Sequence, residues 1–206
     1  RKRGQKVYVE TCPQYLLMDD SLYELPGFES AKYVCAPPLR KKEDQDCLWK
    51  GLADGTIQTV STDHCSFTTE QKKLGEGDFT KIPGGMPGAE TRGTLIYTYG
   101  VDKGRITKED MCRVLSENPA KLYGLYPRKG VIAPGSDADL VIMRTGVEDV
   151  ITAKDQVQNV DYAPFEGTKV TGRVESVFLR GLQAVKDGKV VEEKKGEFLK
   201  RGKYAL

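Results

Sequence analysis

The sequence predicts a mixed α/β chain in which a helix-and-strand part is followed by a β-rich part, and three observations carry that reading. EDQDCLWKGLADG has helical spacing and leads into TIQTVSTD, an extended run ending in polar residues. That order, helix, strand and then a chemically rich loop, is the rhythm of a βα unit, where functional side chains gather at the strand's C-terminal end. From Gly130 onward the texture changes to turn signals and short β runs, with Asp187-Gly188 set between two strand-like segments as the strongest local hairpin signal.

The elements follow in order. In KVYVETCPQYL, Val7 and Val9 alternate with Tyr8 as a short strand that Pro13 terminates. AKYVCAPPLR is a second extended run, which Pro37 and Pro38 keep from pairing regularly any further. The helix of EDQDCLWKGLADG places Cys47, Leu48, Leu52 and Ala53 on one face and ends near Gly55. The stretch from Ser66 to Gly88 holds too many breakers for a regular element, and its length suits a functional loop. ETRGTLIYTYGV resumes as a helix with Leu95, Ile96 and Tyr99 together. ITKEDMCRVLSENPAKLYGLYP reads as two short helices, one capped by Thr107 and one started by Asn118 with Pro119, closed by Gly124. The basic tail KKGEFLKRGKYAL is either a solvated end or a segment docking on a partner subunit.

Composition narrows the function classes. With 206 residues, 30% charged and 38% hydrophobic, the chain can bury a core and lacks a disorder signature. A net charge of +2 gives no electrostatic case for nucleic acid. No apolar run approaches the roughly 20 residues of a membrane span, and the expectation is a cytoplasmic protein with no membrane contact. Five cysteines without CxxC spacing argue against a disulfide framework and a structural zinc knot. The start at Arg1, a basic tetrad running straight into an apolar strand, suggests the C-terminal part of a longer polypeptide.

The chemistry concentrates in VSTDHCSF, which contains the single histidine. An aspartate at a strand's C-terminal end, Asp63, can ligate a metal with one oxygen and accept a proton with the other, although aspartate there is also a common turn former. If the strand continues, alternation turns His64 to the opposite face. Cys65 reads as a small buried filler, since no second histidine could activate it. Gly84, Gly85 and Gly88 lack the GK[ST] of a nucleotide loop, so open main-chain groups facing a polar ring are their better use. Trp49 and the tyrosines read as ordinary core packing.

Taken together, ETCPQYLLMD, VCAPPLR, STDHCSF, GDFTKIPGGMPGAETR, SENPAKLYGLYPRKG, PGSDADLVI and PFEGTKVTGRVESVFLRG resemble successive segments of the D-hydantoinase and dihydropyrimidinase family of cyclic amidohydrolases. The resemblance implies the last strands of a metal-dependent (β/α)8 barrel over 1–127, with KVYVETCP and TIQTVSTD as barrel strands seven and eight. It implies the C-terminal half of a small β-sandwich over 128–192 and a tail over 193–206. Two divalent metals, usually zinc, are expected in the full-length protein, with Asp63 the one ligand in this chain and also the general base. Cys35, Ala36 and Gly84 are the implied substrate contacts, mainly through main-chain groups. Ala36 and Gly84 depart from the family's commoner SPPLR and IPNG, which bears on substrate preference.

The implied partners are a small cyclic ureide or imide and further copies of the chain, as a dimer or tetramer. The implied reaction opens hydantoins or 5,6-dihydropyrimidines to N-carbamoyl amino acids. Allantoinase or dihydroorotase chemistry and a non-catalytic collapsin-response-like assembly protein are the alternatives. The isolated chain, lacking the other ligands, is expected to be inactive.

Overall fold

The computed structural model describes residues 1–191 and 196–206, so the boundary expected at 192–193 lies outside the described residues. The first strand, β1 (Glu10–Thr11), is shorter than the apolar pattern suggested. Val7, Tyr8 and Val9 are 46, 37 and 39% exposed instead of buried on alternate sides. Pro13 ends the strand and opens α1 (Pro13–Leu17), where its missing N–H costs nothing. The AKYVCAPPLR stretch is not a strand: Glu29–Tyr33 form a 3₁₀ turn, and 34–38 follow as a loop.

The next helix, α2 (Lys42–Ala53), turns part of the expected face to the core, with Leu52 buried and Leu48 packed half-buried against it. Trp49, Gly51 and Leu52 are its buried residues, whereas Cys47 and Ala53 are exposed. The spacing identified the helix but only part of its buried face, because Trp49 Nε1 donates to Leu16 O at 3.1 Å and turns the indole inward. Gly51 supports that rotation by letting Ile57 come within contact of its Cα side. The second strand, β2 (Thr59–Val60), pairs with β1 in parallel, with Glu10 opposite Thr59 and Thr11 opposite Val60. A parallel pair needs a crossover, and α1 and α2 lie within it.

After β2 comes the breaker-rich segment, whose regular parts are α3 (Thr69–Lys72) and short 3₁₀ turns at Lys73–Gly75 and Phe79–Lys81. Next, α4 (Arg92–Ile96) runs on through a π-helical turn at Tyr97–Val101, with Leu95 and Ile96 fully buried. Thr107 caps α5 (Lys108–Cys112) through a reciprocal pair with Asp110. The two helices expected around Pro119 are one continuous helical run. A π-helical turn at Arg113–Glu117 joins α5 to α6 (Asn118–Leu122), and Asn118 keeps helical angles. The wider turn accommodates a ring that cannot donate, and the Asn118 amide donates instead to Gln58 O at 2.8 Å.

The β-rich part is one antiparallel sheet in the order β3 (Leu140–Val150), β4 (Lys169–Leu179), β5 (Leu182–Lys186), β6 (Lys189–Val190). Asp187 and Gly188 have φ of 49° and 74°, the paired positive angles that join β5 to β6 in a two-residue turn. Arg180 and Gly181 repeat this at 48° and 82° between β4 and β5, a turn the sequence reading did not single out.

Two apolar clusters hold the chain together. One joins Leu16, Trp49, Leu52, Ile57, Val60 and Ile96 around the parallel pair. In the other, Leu39, Met86 and Leu95 meet Ile151, Phe165 and Val170, so the start of β4 seats on α4. Tyr99 Oη donates to Lys169 O at 3.0 Å across the same contact.

The tail packs on its own chain. Gly202 N donates to Gly124 O at 2.7 Å, Ala205 N to Lys121 O at 2.9 Å, and Tyr8 Oη to the Leu206 carbonyl. Phe198 is 94% exposed. Among the described residues no helix is long and apolar enough to cross a membrane.

Candidate active site

Three loops meet at the C-terminal ends of β1 and β2: 34–38, 61–65 and 83–89. Asp63 sits at the turn of the middle loop, with an exposed side chain and φ of 47°. This left-handed geometry is tolerated by aspartate better than by most side chains. Burial lifts the Cys12 thiol to about 11 and the Tyr15 hydroxyl well above its usual range, and the Asp63 charge is one of the smaller contributions in the same direction.

Because β2 ends at Val60 and the chain turns at Asp63, strand alternation does not apply to His64. His64 Nδ1 instead accepts from Gly88 N at 3.1 Å and Ala89 N at 3.2 Å, which pins the end of the glycine-rich loop to the aspartate loop. Cys65 is exposed, contrary to a filler role, since it lies on that loop and not in the core. Its N–H donates to Met86 O at 3.2 Å. Below the site, Gln14 Nε2 donates to Thr62 O at 3.0 Å and Arg92 Nη1 to Val60 O at 3.2 Å, fixing the strand end.

The proline loop is held from the other side by aromatic residues that the sequence reading assigned to plain packing. Tyr15 Oη donates to Pro37 O at 3.0 Å, and Leu39 N donates to Tyr23 Oη at 2.8 Å. Burial raises the Cys35 thiol, whose Sγ turns to Pro37 O at 3.3 Å. Gly85 joins this loop to the glycine-rich one: its N–H donates to Val34 O at 2.8 Å. A Cβ on Gly85 would lie 2.5 Å from Cys65 O, and φ is 146°, so only glycine permits the approach.

The residue that ties these loops most tightly is one the sequence did not mark. Lys72 is fully buried, and its Nζ donates to Pro83 O at 2.7 Å, Gly85 O at 2.9 Å and Val34 O at 3.2 Å. Burial pushes its ammonium down to about 8. No periodicity could have revealed it in the polar run TTEQKKLGEG.

With these bonds in place, the open main-chain groups expected of the whole glycine-rich stretch narrow to a few. Gly85 has both its N–H and its C=O bonded within the protein, and Pro83 O and Met86 O are also taken. Among the described residues Gly84 has a partner for neither group, and a side chain there would meet nothing within 4 Å. Cys35 and Ala36 likewise have no main-chain hydrogen bond among the described residues. The Val34–Gly85 bond puts these two short free stretches side by side.

For a metal ion, this donor set fits one contribution only. Asp63 offers an exposed carboxylate, but among the described residues no three His, Cys, Asp or Glu side chains converge. Further ligands would have to come from outside these residues.

The chain is 50% identical over 206 residues to a D-hydantoinase of Geobacillus stearothermophilus, covering 99% of the chain and 44% of that protein. It superposes with a TM-score of 0.97 on the structure of D-hydantoinase from a Bacillus sp. AR9, at 48% identity, over the whole chain and 45% of that one. Dihydropyrimidinase from Brevibacillus agri NCHU1002 matches with a TM-score of 0.91 and 48% identity, over 93% of this chain and 42% of that one. The chain thus spans less than half the length of these relatives. With the amidohydrolase family model matching residues 16–191, through both apolar clusters and all three loops, the chain belongs to the amidohydrolase family.

Proposed function

We propose that the protein of which this chain is part hydrolyses the cyclic amide bond of hydantoins or 5,6-dihydropyrimidines, releasing N-carbamoyl amino acids. The observation that carries the reading is that the loop bearing the exposed Asp63 carboxylate is bonded to the glycine-rich loop, and that loop to the proline loop, which gathers an acid and two stretches with unbonded main-chain groups, Cys35–Ala36 and Gly84, at one end of the strands. A flat ring with alternating N–H and C=O groups finds complementary partners in such peptide edges. The relatives named above, hydantoinases and a dihydropyrimidinase, favour these rings over allantoin or dihydroorotate.

In this reading 1–127 supplies the last strands of a (β/α)8 barrel and 128–192 part of a β-sandwich. Val141 and Ile142, 61 and 47% exposed on β3, are apolar surface for the rest of that sandwich to cover. Asp63 is one ligand of a pair of divalent metals, usually zinc, whose other ligands lie elsewhere in the protein. When bound, such a pair polarises the ring carbonyl and lowers the pKa of water. Asp63 takes the proton of the attacking water and delivers it to the leaving ring nitrogen. Cys35, Ala36 and Gly84 orient the ring through their peptide groups. The protein is a cytoplasmic homo-oligomer in this account, and the exposed Leu74 and Phe79 provide apolar surface for subunit contact.

The test is turnover by the whole, metal-loaded protein on hydantoin, dihydrouracil, allantoin and dihydroorotate. Hydrolysis of the first two is expected, and hydrolysis of only the last two would overturn the substrate assignment. Asp63→Asn is the better probe than Asp63→Ala, because asparagine tolerates the positive φ. It should lower kcat by about 10³-fold without moving the thermal midpoint. Near-normal turnover would remove Asp63 from the chemistry.

A further inference from the structure

We infer that Lys72 is a positioning residue for the substrate: one buried ammonium clamps the proline loop and the glycine-rich loop together, so that the peptide groups of Cys35–Ala36 and Gly84 stand ready for a ring. The inference rests on the hydrolase reading above for what is positioned, but the clamp itself rests on geometry alone. Val34 O, Pro83 O and Gly85 O all converge on Nζ within 3.2 Å, from segments 38, 11 and 13 residues away along the chain. Three N–H donors meet three acceptors, so the head group is fully satisfied. The Phe67 ring lies 5.6 Å from Nζ and completes the enclosure.

The location decides between a clamp and a general stabiliser. Each bonded carbonyl flanks a residue whose own peptide groups are unbonded: Val34 precedes Cys35 and Ala36, while Pro83 and Gly85 bracket Gly84. Without Lys72, Pro83 O and Gly85 O would lose the partner each has among the described residues, and Val34 O would be left with the Gly85 N–H alone. The loops would then part or rotate toward water, carrying the free peptide edges with them. Burying a charge on a small surface helix is costly, and a core hydrophobe could fill the volume. What a hydrophobe cannot do is hold three carbonyls from two separate loops at one point. This is a binding effect, because the ring contacts exist before any bond breaks, so its loss belongs mainly in KM.

Lys72→Met in the whole, metal-loaded protein keeps an unbranched stem one atom shorter and removes the donors. The expected result is a KM for dihydrouracil or hydantoin raised about tenfold or more, with kcat changed less than KM. Hydrogen exchange followed by mass spectrometry should show faster exchange in peptides covering 31–39 and 79–89, together, with the remaining peptides unchanged. In Lys72→Ala, propylammonium replaces the missing atoms and should restore both protection and KM, whereas sodium at equal ionic strength should not.

Several outcomes would overturn the clamp. These are unchanged exchange in both loops, a change in one loop only, exchange raised along the whole chain, or a fall in kcat at constant KM. If Lys72→Met does not fold, recovery of the two loops by propylammonium in Lys72→Ala decides, and no recovery counts against the inference. Loss of protection in both loops of a protein whose wild type turns over no cyclic amide would leave the clamp standing and defeat the hydrolase reading instead.

Discussion

The parallel pair and the antiparallel sheet solve opposite problems. β1 and β2 are two residues each, yet helices cover them and the first apolar cluster surrounds them, with Val60 and Leu52 essentially inaccessible. β3 and β4 are eleven residues each and well paired, yet β3 has no fully buried residue. Extensive hydrogen bonding therefore marks the region with the thinner core, and the candidate site lies where pairing is shortest. Short strands leave their ends free to become loops, and loops cross-linked by side chains can present peptide groups that a ladder would consume.

The largest effect is expected in the core beneath the parallel pair. Leu52→Ala should cost about 3 kcal/mol in urea unfolding, because a fully buried leucine leaves a cavity. Val141→Ala, at a 61% exposed position, should cost under about 0.5 kcal/mol in this chain. Repeating Val141→Ala in the whole protein sharpens the contrast: a cost above about 1 kcal/mol there would mean that further strands cover β3. Equal costs for Leu52 and Val141 in this chain would erase the distinction.

A smaller effect tests the sheet's turns. Gly188→Ala should lose about 1 kcal/mol, since φ is 74° while the nearest atom to a new Cβ is 3.9 Å away, leaving backbone strain as the only cost. No change in unfolding midpoint would argue against the two-residue turn.

The smallest effect concerns the connection between the two regions. Lys129, then Arg128, hold the Asp137 carboxyl below the usual carboxylate range. Its folded value lies below its unfolded one, so its contribution is complete above about pH 4 and fades as pH falls through the depressed value. Asp137→Asn should therefore flatten the acid side of a melting-temperature profile and leave it parallel to wild type above pH ~5. An unaltered acid limb would show that the pairing is spent on solvent.

How far the sequence foretold all this depends on the range of the interaction concerned. The Asp187-Gly188 turn and the Thr107 cap are local chemistry within a few residues, and both stand where expected. The rotation of α2 was legible only in part because Trp49 answers to Leu16, 33 residues away. Pro119 looked like a helix start, but a π-helical turn absorbed it within a continuous run. At the candidate site, Asp63 stands out as a candidate by its position after a β-branched run, and Cys35, Ala36 and Gly84 are candidates through the resemblance alone. Lys72 was invisible, since nothing in a polar stretch announces that two distant loops will close over one amine. His64 was noticed for the wrong property, being an acceptor for the glycine loop and not a face-alternating neighbour.

The tail bonds of Gly202 and Ala205 to the end of α6 have a practical consequence. The polypeptide leaves the helical part at 128–139 and, besides the 151–168 segment that packs back on it between β3 and β4, is bonded to it again at 202–205, so more than one connection joins what looks like a single junction. A protease cutting once between them would nick the molecule without releasing either piece, and the break would show on a denaturing gel long before it showed in gel filtration.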